Sequence, residues 1–199
     1  MNSLIKTSLL SLALVSTASM AGNFAGPEAG ASVTMNGGST KFQESGQKET
    51  ILGGSSLGFR LHGGYGFDMG NDVLVLLGVN YNATELSAGK LVGNSLKIKN
   101  SWSLSAAPGM LLNDKTLAYV KLSYEAGKFN SGVSSIKLDQ SVSGFGYGAG
   151  LRTEINKTTF LETEIKQVNY SKSTKNVDGT NYDFIPSATV GSVGVVFKF

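Results

Sequence analysis

A few side chains of this sequence have the type and spacing that acid–base chemistry needs. The single histidine, His62, lies two residues from Arg60, and Glu162, Glu164 and Lys166 follow one another at intervals of two. Two carboxylates on one face could serve as a general acid and a general base, and a histidine could share either task. With basic side chains close by, a ladder of ion pairs explains the same residues without a reaction, and we favour that interpretation.

A run of glycines raises the question of a phosphate cradle. Gly144, Gly146, Gly148 and Gly150 are spaced evenly by two. Phosphate-binding loops have uneven glycine spacing and are followed by a helix, whereas no helical pattern follows here. We interpret the run as one face of a strand, where missing side chains leave room for long ones from neighbouring strands.

The elements that carry these residues are predicted to be β-strands. From Glu28 to Asn36 the odd positions are apolar and the even positions are small or polar, and strict period two indicates a strand with two unlike faces. The same alternation recurs in seven later segments, around residues 57–67, 73–82, 96–106, 118–125, 145–155, 161–166 and 192–199. In the segment 96–106 it places Leu96 and Ile98 on the apolar face and Lys97 and Lys99 on the polar face.

The connections between the eight segments alternate in length. The longer ones span residues 37–56, 86–93, 129–140 and 171–186, and the short ones span residues 68–72, 113–115 and 156–157. Bacterial outer-membrane barrels have tight periplasmic turns and longer external loops. We therefore predict an all-β fold, an eight-stranded antiparallel up-and-down transmembrane β-barrel. A soluble periplasmic sandwich, which also alternates, is the alternative fold.

In such a barrel the polar faces line the lumen. An eight-stranded interior is only about wide enough for side chains to fill it, so charged groups there must pair. We predict that twelve residues form a lumen ion-pair network: Glu28, Arg60, His62, Lys97, Lys99, Lys121, Glu125, Arg152, Glu154, Glu162, Glu164 and Lys166.

The N-terminal residues have the order of a secretory signal. Met1–Lys6 carries one positive charge, residues 8–15 are almost wholly apolar, and Ser19 and Ala21 are small residues at positions minus three and minus one. A short buried helix is the alternative, but it does not account for this order. We predict a signal peptide over residues 1–21, cleavage between Ala21 and Gly22, and a barrel domain over residues 22–199.

Composition limits the partners and cofactors of the chain. The excess of three positive charges among 199 residues is small and dispersed, so nucleic acid is not an expected partner. With one histidine and no cysteine there is little for a transition-metal site. Carboxylate oxygens alone could hold calcium, but we predict no cofactor and no metal. Beyond the N-terminus no apolar run approaches the length of a spanning helix.

Several stretches resemble a known family. They are Gly26–Val33, the glycine run of residues 144–151, the stretch 164–170, and the final Phe199. Together they resemble the small outer-membrane β-barrel family that includes opacity proteins, surface antigens and the transmembrane domain of outer membrane protein A. The chain departs from this family at Ile165 and Gln167, where aromatic residues are usual.

The last residues resemble a barrel-assembly signal. Val193, Val195, Phe197 and Phe199 alternate at period two, like the carboxy-terminal pattern by which outer-membrane barrels are delivered to their assembly machinery. The expected partners are therefore outer-membrane lipid and that machinery, the latter through the C-terminal strand.

Our leading hypothesis is a monomeric protein of the bacterial outer membrane that stabilises the envelope and presents loops at the cell surface. The loops, rich in Ser, Gly, Asn, Thr and Lys, would bind a host or matrix ligand, as an adhesin or surface antigen does. A narrow gated pore for ions or small solutes is the alternative. We predict no enzyme activity, because barrel enzymes that deacylate lipid need an outward histidine and alternation places His62 inward.

Overall fold

The computed structural model of the protein describes residues 24–45, 47–91, 94–131, 138–177 and 179–199. The predicted signal peptide, with its cleavage site between Ala21 and Gly22, lies outside these residues. Within them, no helix is long and apolar enough to cross a membrane. The described residues form ten β-strands: β1 (Gly26–Glu44), β2 (Thr50–Gly70), β3 (Val73–Asn82), β4 (Leu86–Leu91), β5 (Asn94–Asn113), β6 (Thr116–Ser131), β7 (Leu138–Asn156), β8 (Thr159–Tyr170), β9 (Ser173–Val177) and β10 (Thr180–Lys198).

Eight of these strands close into a ring. The order is β1, β2, β3, β5, β6, β7, β8 and β10, and β10 pairs again with β1 from Glu28 opposite Lys198 to Glu44 opposite Tyr182. Every pairing in the ring is antiparallel. The predicted eight-stranded antiparallel barrel is confirmed, and the closed ring excludes the two-sheet sandwich.

The two remaining strands continue members of the ring. β4 pairs with β5 beyond the point where β3 ends, and β9 pairs with β10 beyond the end of β8. Residues 83–85 separate β3 from β4, and residues 171–172 separate β8 from β9. The segments 86–93 and 171–186 were predicted to be connections, but residues 86–91, 173–177 and 180–186 within them are strand.

The two ends of the barrel differ in strand length. At one end residues 71–72, 114–115 and 157–158 form tight turns, and Asn71 and Asp72 both have the positive φ of a type I′ hairpin. At the other end β1 runs to Glu44 and β2 begins at Thr50, so most of the predicted connection 37–56 is strand as well. The barrel therefore extends far beyond the alternating segments seen in the sequence.

The outer surface of the barrel has an apolar belt. Large apolar side chains point outward from neighbouring strands and are exposed, among them Met35, Leu57, Leu122 and Phe145. Such a continuous apolar surface is the lipid-facing surface of a transmembrane barrel. Aromatic side chains border it: Tyr81, Trp102, Tyr124 and Phe145 at the end with long strands, and Tyr65, Phe67 and Phe197 at the end with tight turns.

Above the aromatic border the polarity of the two faces inverts. In the belt, apolar residues face outward and polar residues face the lumen. In the extension, Lys41 and Lys128 are exposed on the outer face while Phe129 and Phe184 are fully buried inside. We call this part, from the aromatic border to the strand tips, the extension. Its interior is an apolar core of the kind found in soluble barrels.

A β-bulge in β5 marks the change of faces. The register against β6 shifts between Lys99 and Trp102, and Asn100 has a positive φ of 47°. The extra residue moves the inward side chains from odd numbers (Ser101 and Ser103) to even numbers (Leu96 and Ile98). Leu96 and Ile98 are 0% exposed, contrary to the outward placement expected from alternation.

Candidate functional site in the lumen

Arg152 of β7 is the centre of a buried cluster of charges in the lumen. Its Nη2 donates to Oε2 of Glu162 on β8 at 2.6 Å and to Oε1 of Glu28 on β1 at 3.0 Å. β8 adjoins β7, whereas β1 lies three strands away around the ring, so the contact with Glu28 spans the lumen. All three side chains are buried.

Glu164 of β8 is the centre of a second cluster. Its Oε1 accepts a hydrogen bond from Nη1 of Arg60 at 3.2 Å, and its Oε2 accepts from the Tyr119 hydroxyl at 3.2 Å and from Nζ of Lys121. Arg60 also donates through Nη2 to the hydroxyl of Ser192 at 2.5 Å. These contacts connect β2, β6, β8 and β10 across the barrel.

Lys166 and Glu125 form a third pair closer to the extension. Nζ of Lys166 lies 2.6 Å from Oε1 of Glu125, and the Ser123 hydroxyl donates to the same oxygen at 2.7 Å. The glycine face of β7 makes room for this pair. A Cβ atom at Gly146 would clash with Oγ of Ser123 and lie 3.3 Å from Cδ of Lys166.

The three clusters balance in charge. Four cations, Arg60, Lys121, Arg152 and Lys166, face four carboxylates, those of Glu28, Glu125, Glu162 and Glu164. Burial of an unpaired charge would cost several kcal/mol, and here each of the eight has an oppositely charged partner. These ion pairs connect strands across the lumen. Each carboxylate of the three clusters is paired with a cation.

An apolar cluster closes the lumen below the charges. It lies at the end with tight turns, and its buried members are Phe24, Leu74, Leu76, Ala107, Leu117, Tyr119, Phe160 and Val196. Leu74 and Leu76, which blur the polar face of β3 in the sequence, belong to this cluster. A second cluster fills the extension above the charges: Leu86, Ala88, Leu96, Ile98, Phe129, Val142, Val168, Tyr170 and Phe184.

The strand β4 contributes to the upper closure because it bends toward the lumen. Nδ2 of Asn36 donates to the carbonyl of Ser87 at 2.7 Å, and Oγ1 of Thr40 donates to the carbonyl of Ala88 at 2.5 Å. The amide of Ser87 in turn donates to Oγ of Ser56 at 3.1 Å. β4 is thus fastened to β1 and β2 as well as to β5.

His62 faces the lumen beside the Arg152 cluster. It lines a cavity of about 20 Å³ together with Glu28, Arg152 and Glu162. Within the described part of the chain no group is hydrogen-bonded to its buried Nε2. A Cβ atom at Gly30 would clash with the imidazole ring, so this glycine gives the histidine its space.

Lys97 and Lys99 lie outside the lumen, contrary to the expectation from alternation. They are 44% and 41% exposed and pair with Glu85 at 2.7 Å and 3.1 Å. The bulge at Asn100 is the physical reason, since it exchanges the two faces of β5 above it. The structure also separates Glu154 from the three clusters, because this half-buried residue lies at the turn end of β7.

Several residues of the lumen network are absent from the predicted set. Tyr119 donates to Glu164, Ser32 accepts from Nε of Arg60 at 3.3 Å, and Ser192 and Ser123 complete the clusters described above. Tyr119 has the same parity as Lys121, so alternation was a sufficient signal for its inward placement. The serines have the correct parity too, but serine is also common on outer polar surfaces.

The C-terminal residues lie on the outer face. Val193 and Phe197 point toward lipid, and the amide of Phe199 donates to the carbonyl of Pro27 at 3.1 Å. Val195 is half-buried between them. Recognition of this stretch by an assembly machinery stays a prediction.

Comparison with protein families decides the class of this barrel. A family model described as outer membrane protein beta-barrel domain matches residues 7–199. The chain belongs to this family. Its members are proteins of the bacterial outer membrane, and the apolar belt of this barrel is accordingly its lipid-facing surface. A search of curated proteins finds no match.

This family member is similar to solved structures of outer-membrane proteins. OprG from Pseudomonas aeruginosa is 13% identical, with 91% of this chain and 99% of that chain covered and a TM-score of 0.56. Ail, the attachment invasion locus protein of Yersinia pestis, is 18% identical, with 84% and 98% covered and a TM-score of 0.42. Neisserial surface protein A is 15% identical, with 85% and 97% covered and a TM-score of 0.44.

Proposed function

We propose that this outer-membrane barrel stabilises the envelope and presents its extension to other molecules at the cell surface. The observation that carries the proposal is the apolar core inside the extension. An anchor in lipid needs strands only as long as the hydrocarbon layer is thick. Here the strands continue beyond the aromatic border and enclose buried Phe129 and Phe184, which makes the exposed part a rigid, folded surface.

The rim of the extension offers a polar groove suited to a host or matrix ligand. Its volume is about 300 Å³. Hydrogen bonds from Thr174 and Lys172 hold the pKa of Asp183 below its usual value, so this carboxylate is charged at neutral pH. We call this feature the rim groove; its lining residues are Gln43, Ser45, Lys172, Thr174, Asn181 and Asp183.

The filled lumen favours this role over the alternative of a gated pore. Conduction would require displacement of the two apolar clusters as well as rearrangement of the buried ion pairs between them. Rearranging a pair such as Arg60 with Glu164 would leave charges without partners away from water, which costs several kcal/mol. We propose a non-catalytic monomer whose partners are outer-membrane lipid, the barrel-assembly machinery and a surface ligand.

The test compares bacteria that display the protein with bacteria that lack it. Attachment to immobilised matrix proteins and glycans is measured together with uptake of a dye that an intact envelope excludes. Lys172→Ala and Asp183→Ala change the rim groove, and Lys157→Ala in a turn at the opposite end is the matched control. We expect the two rim variants to attach less than wild type and the control to attach equally.

Two results would overturn the proposal. The first is equal attachment and equal dye uptake by cells with and without the protein. The second is steady single-channel openings of the purified, folded barrel in planar bilayers that Glu164→Ala or Arg152→Ala alters. That result would make the protein a gated pore.

A further inference from the structure

A groove on the outer wall lies at the boundary between the lipid belt and the extension. Its volume is about 400 Å³. It is lined by the β5 bulge, the upper part of β6, the start of β7 and the residue that follows β8. We call it the interfacial groove; the side chains that line it are those of Asn100, Trp102, Tyr124, Ala126, Lys128, Ser141, Ser143 and Ser171.

The groove changes from apolar to polar along its length. At the lower end the Trp102 and Tyr124 rings lie 6.1 Å apart, and Phe145 meets Tyr124 edge-on at 5.9 Å. At the upper end the lining is polar and consists of Lys128 and the serine hydroxyls. Ala126, directly opposite Trp102 on β6, is a small side chain between the aromatic and cationic ends and leaves the depression open.

Lys128 is the charged group of the groove. It lies directly opposite Lys99 on β5, and two like charges in that position repel each other. Lys99 has a partner, since its Nζ lies 3.1 Å from Glu85. Within the described residues Lys128 forms no ion pair. Asp139 is the acidic residue on the neighbouring outer surface. It lies opposite Asn130, two residues farther from the lipid belt than Lys128.

We propose that the interfacial groove binds the phosphate-bearing headgroup of a lipid of the outer leaflet. The groove faces sideways at the aromatic border, so membrane lipids are the molecules in front of it. Lys128 and the hydroxyls of Ser141 and Ser143 supply a cation and hydrogen-bond donors for a phosphate. Below them the exposed apolar side chains of Leu122 and Tyr147 offer a path for acyl chains.

The single tryptophan makes the proposal measurable, because Trp102 lies in the groove and no other indole contributes to the signal. The barrel is reconstituted in phosphatidylcholine vesicles, and diphosphorylated lipid A is added in increasing proportion while tryptophan emission is recorded. Bound lipid is counted in parallel by native mass spectrometry. Dephosphorylated lipid A and inorganic phosphate without lipid are the comparison ligands.

Lys128→Ala is the test variant, and Lys157→Ala, which removes the same charge from the opposite end, is the matched control. We expect Lys128→Ala to weaken binding of diphosphorylated lipid A about tenfold, as loss of one charge-assisted hydrogen bond predicts. The control should bind like wild type. Folding of both variants is verified by their far-ultraviolet circular dichroism.

Three outcomes would overturn the proposal. Equal affinity of Lys128→Ala and Lys157→Ala would mean that Lys128 does not contact the headgroup. Equal affinity of wild type for phosphorylated and dephosphorylated lipid A would exclude phosphate recognition. Saturable binding of inorganic phosphate, with no preference for the lipid, would make the groove a simple anion site.

Discussion

Lys166 and Glu125 meet inside the barrel at 2.6 Å, with only 5% and 2% of their side chains exposed to solvent. Neither charge has bulk water to solvate it, so each depends on the other. Lys166→Met keeps most of the side-chain volume but leaves the Glu125 carboxylate with the Ser123 hydroxyl as its described partner. We expect the unfolding free energy to fall by about 3–5 kcal/mol, as measured by urea unfolding in detergent micelles.

The exposed pair of Lys41 and Glu49 provides the control for that measurement. Its atoms lie 3.2 Å apart, and its side chains are 54% and 41% exposed. Lys41→Met should cost less than about 1 kcal/mol, because water solvates either charge alone. Similar losses of unfolding free energy for the two variants would show that burial does not determine how much the Lys166 pair stabilises the protein.

The exchange of faces in β5 can be tested by thiol labelling, since the chain contains no cysteine. Lys99→Cys should react with a membrane-impermeant maleimide on intact cells, whereas Ile98→Cys should stay unlabelled because its side chain is buried in the extension. Lys157→Cys, in a tight turn at the opposite end of the barrel, should react only after the outer membrane is opened. Labelling of Ile98→Cys and protection of Lys99→Cys would contradict the bulge.

The apolar core of the extension predicts a larger loss of stability for one phenylalanine than for another. Phe129 is fully buried against Phe184, with ring centroids 5.7 Å apart, while Phe145 is 72% exposed on the lipid face. Phe129→Ala should lower the unfolding free energy by about 3–5 kcal/mol through lost burial and the cavity left behind. Phe145→Ala should cost less, about 1.5–3 kcal/mol, because it loses only the transfer of the side chain from water to detergent and leaves no cavity. Equal costs would argue against a packed core above the membrane.

Glu85 gives a prediction about pH at the outer surface. Hydrogen bonds from Lys97, then from Lys99, hold the pKa of this carboxyl below its usual value. Its stabilising contribution is therefore present above the ordinary carboxyl pKa and is lost as pH falls through the lowered value in the folded protein. The Glu85 side chain is 39% exposed, so solvent screens its ion pairs and the contribution is small. An NMR titration of the Glu85 side chain should show the lowered midpoint, and Lys97→Ala should move it upward.

The sequence predicts the membrane-spanning part of this barrel well. Along β7 the residues from Phe145 to Leu151 alternate without interruption, and the structure places Gly146 inward and Tyr147 outward as period two requires. The reason is physical, since lipid outside and paired charges inside make the two faces of each strand differ strongly. Eight of the twelve predicted lumen residues lie in the three clusters for the same reason.

The extension could not be predicted from the same pattern. Above the aromatic border the preference of the two faces reverses, so Phe42 faces inward and Lys41 outward on a strand whose lower part has the opposite arrangement. Alternation alone gives period two but not which face is inside. The pattern of apolar residues does not reveal the bulge at Asn100. This bulge shifts the register of β5 by one residue. Lys97 and Lys99 were misplaced because both effects act on that segment.

The ladders that pair β1 with β2 and with β10 run without a break from the belt to the strand tip, which makes this barrel a rigid support for inserted peptides. From Met35, the last large apolar side chain on the outer face of β1, to Glu44 the strand rises by about 30 Å at ~3.3 Å per residue. With a strand tilt of about 40° its tip stands about 20 Å above the lipid boundary. A passenger sequence spliced between β1 and β2 would be displayed at that height on a fixed support, without an added spacer.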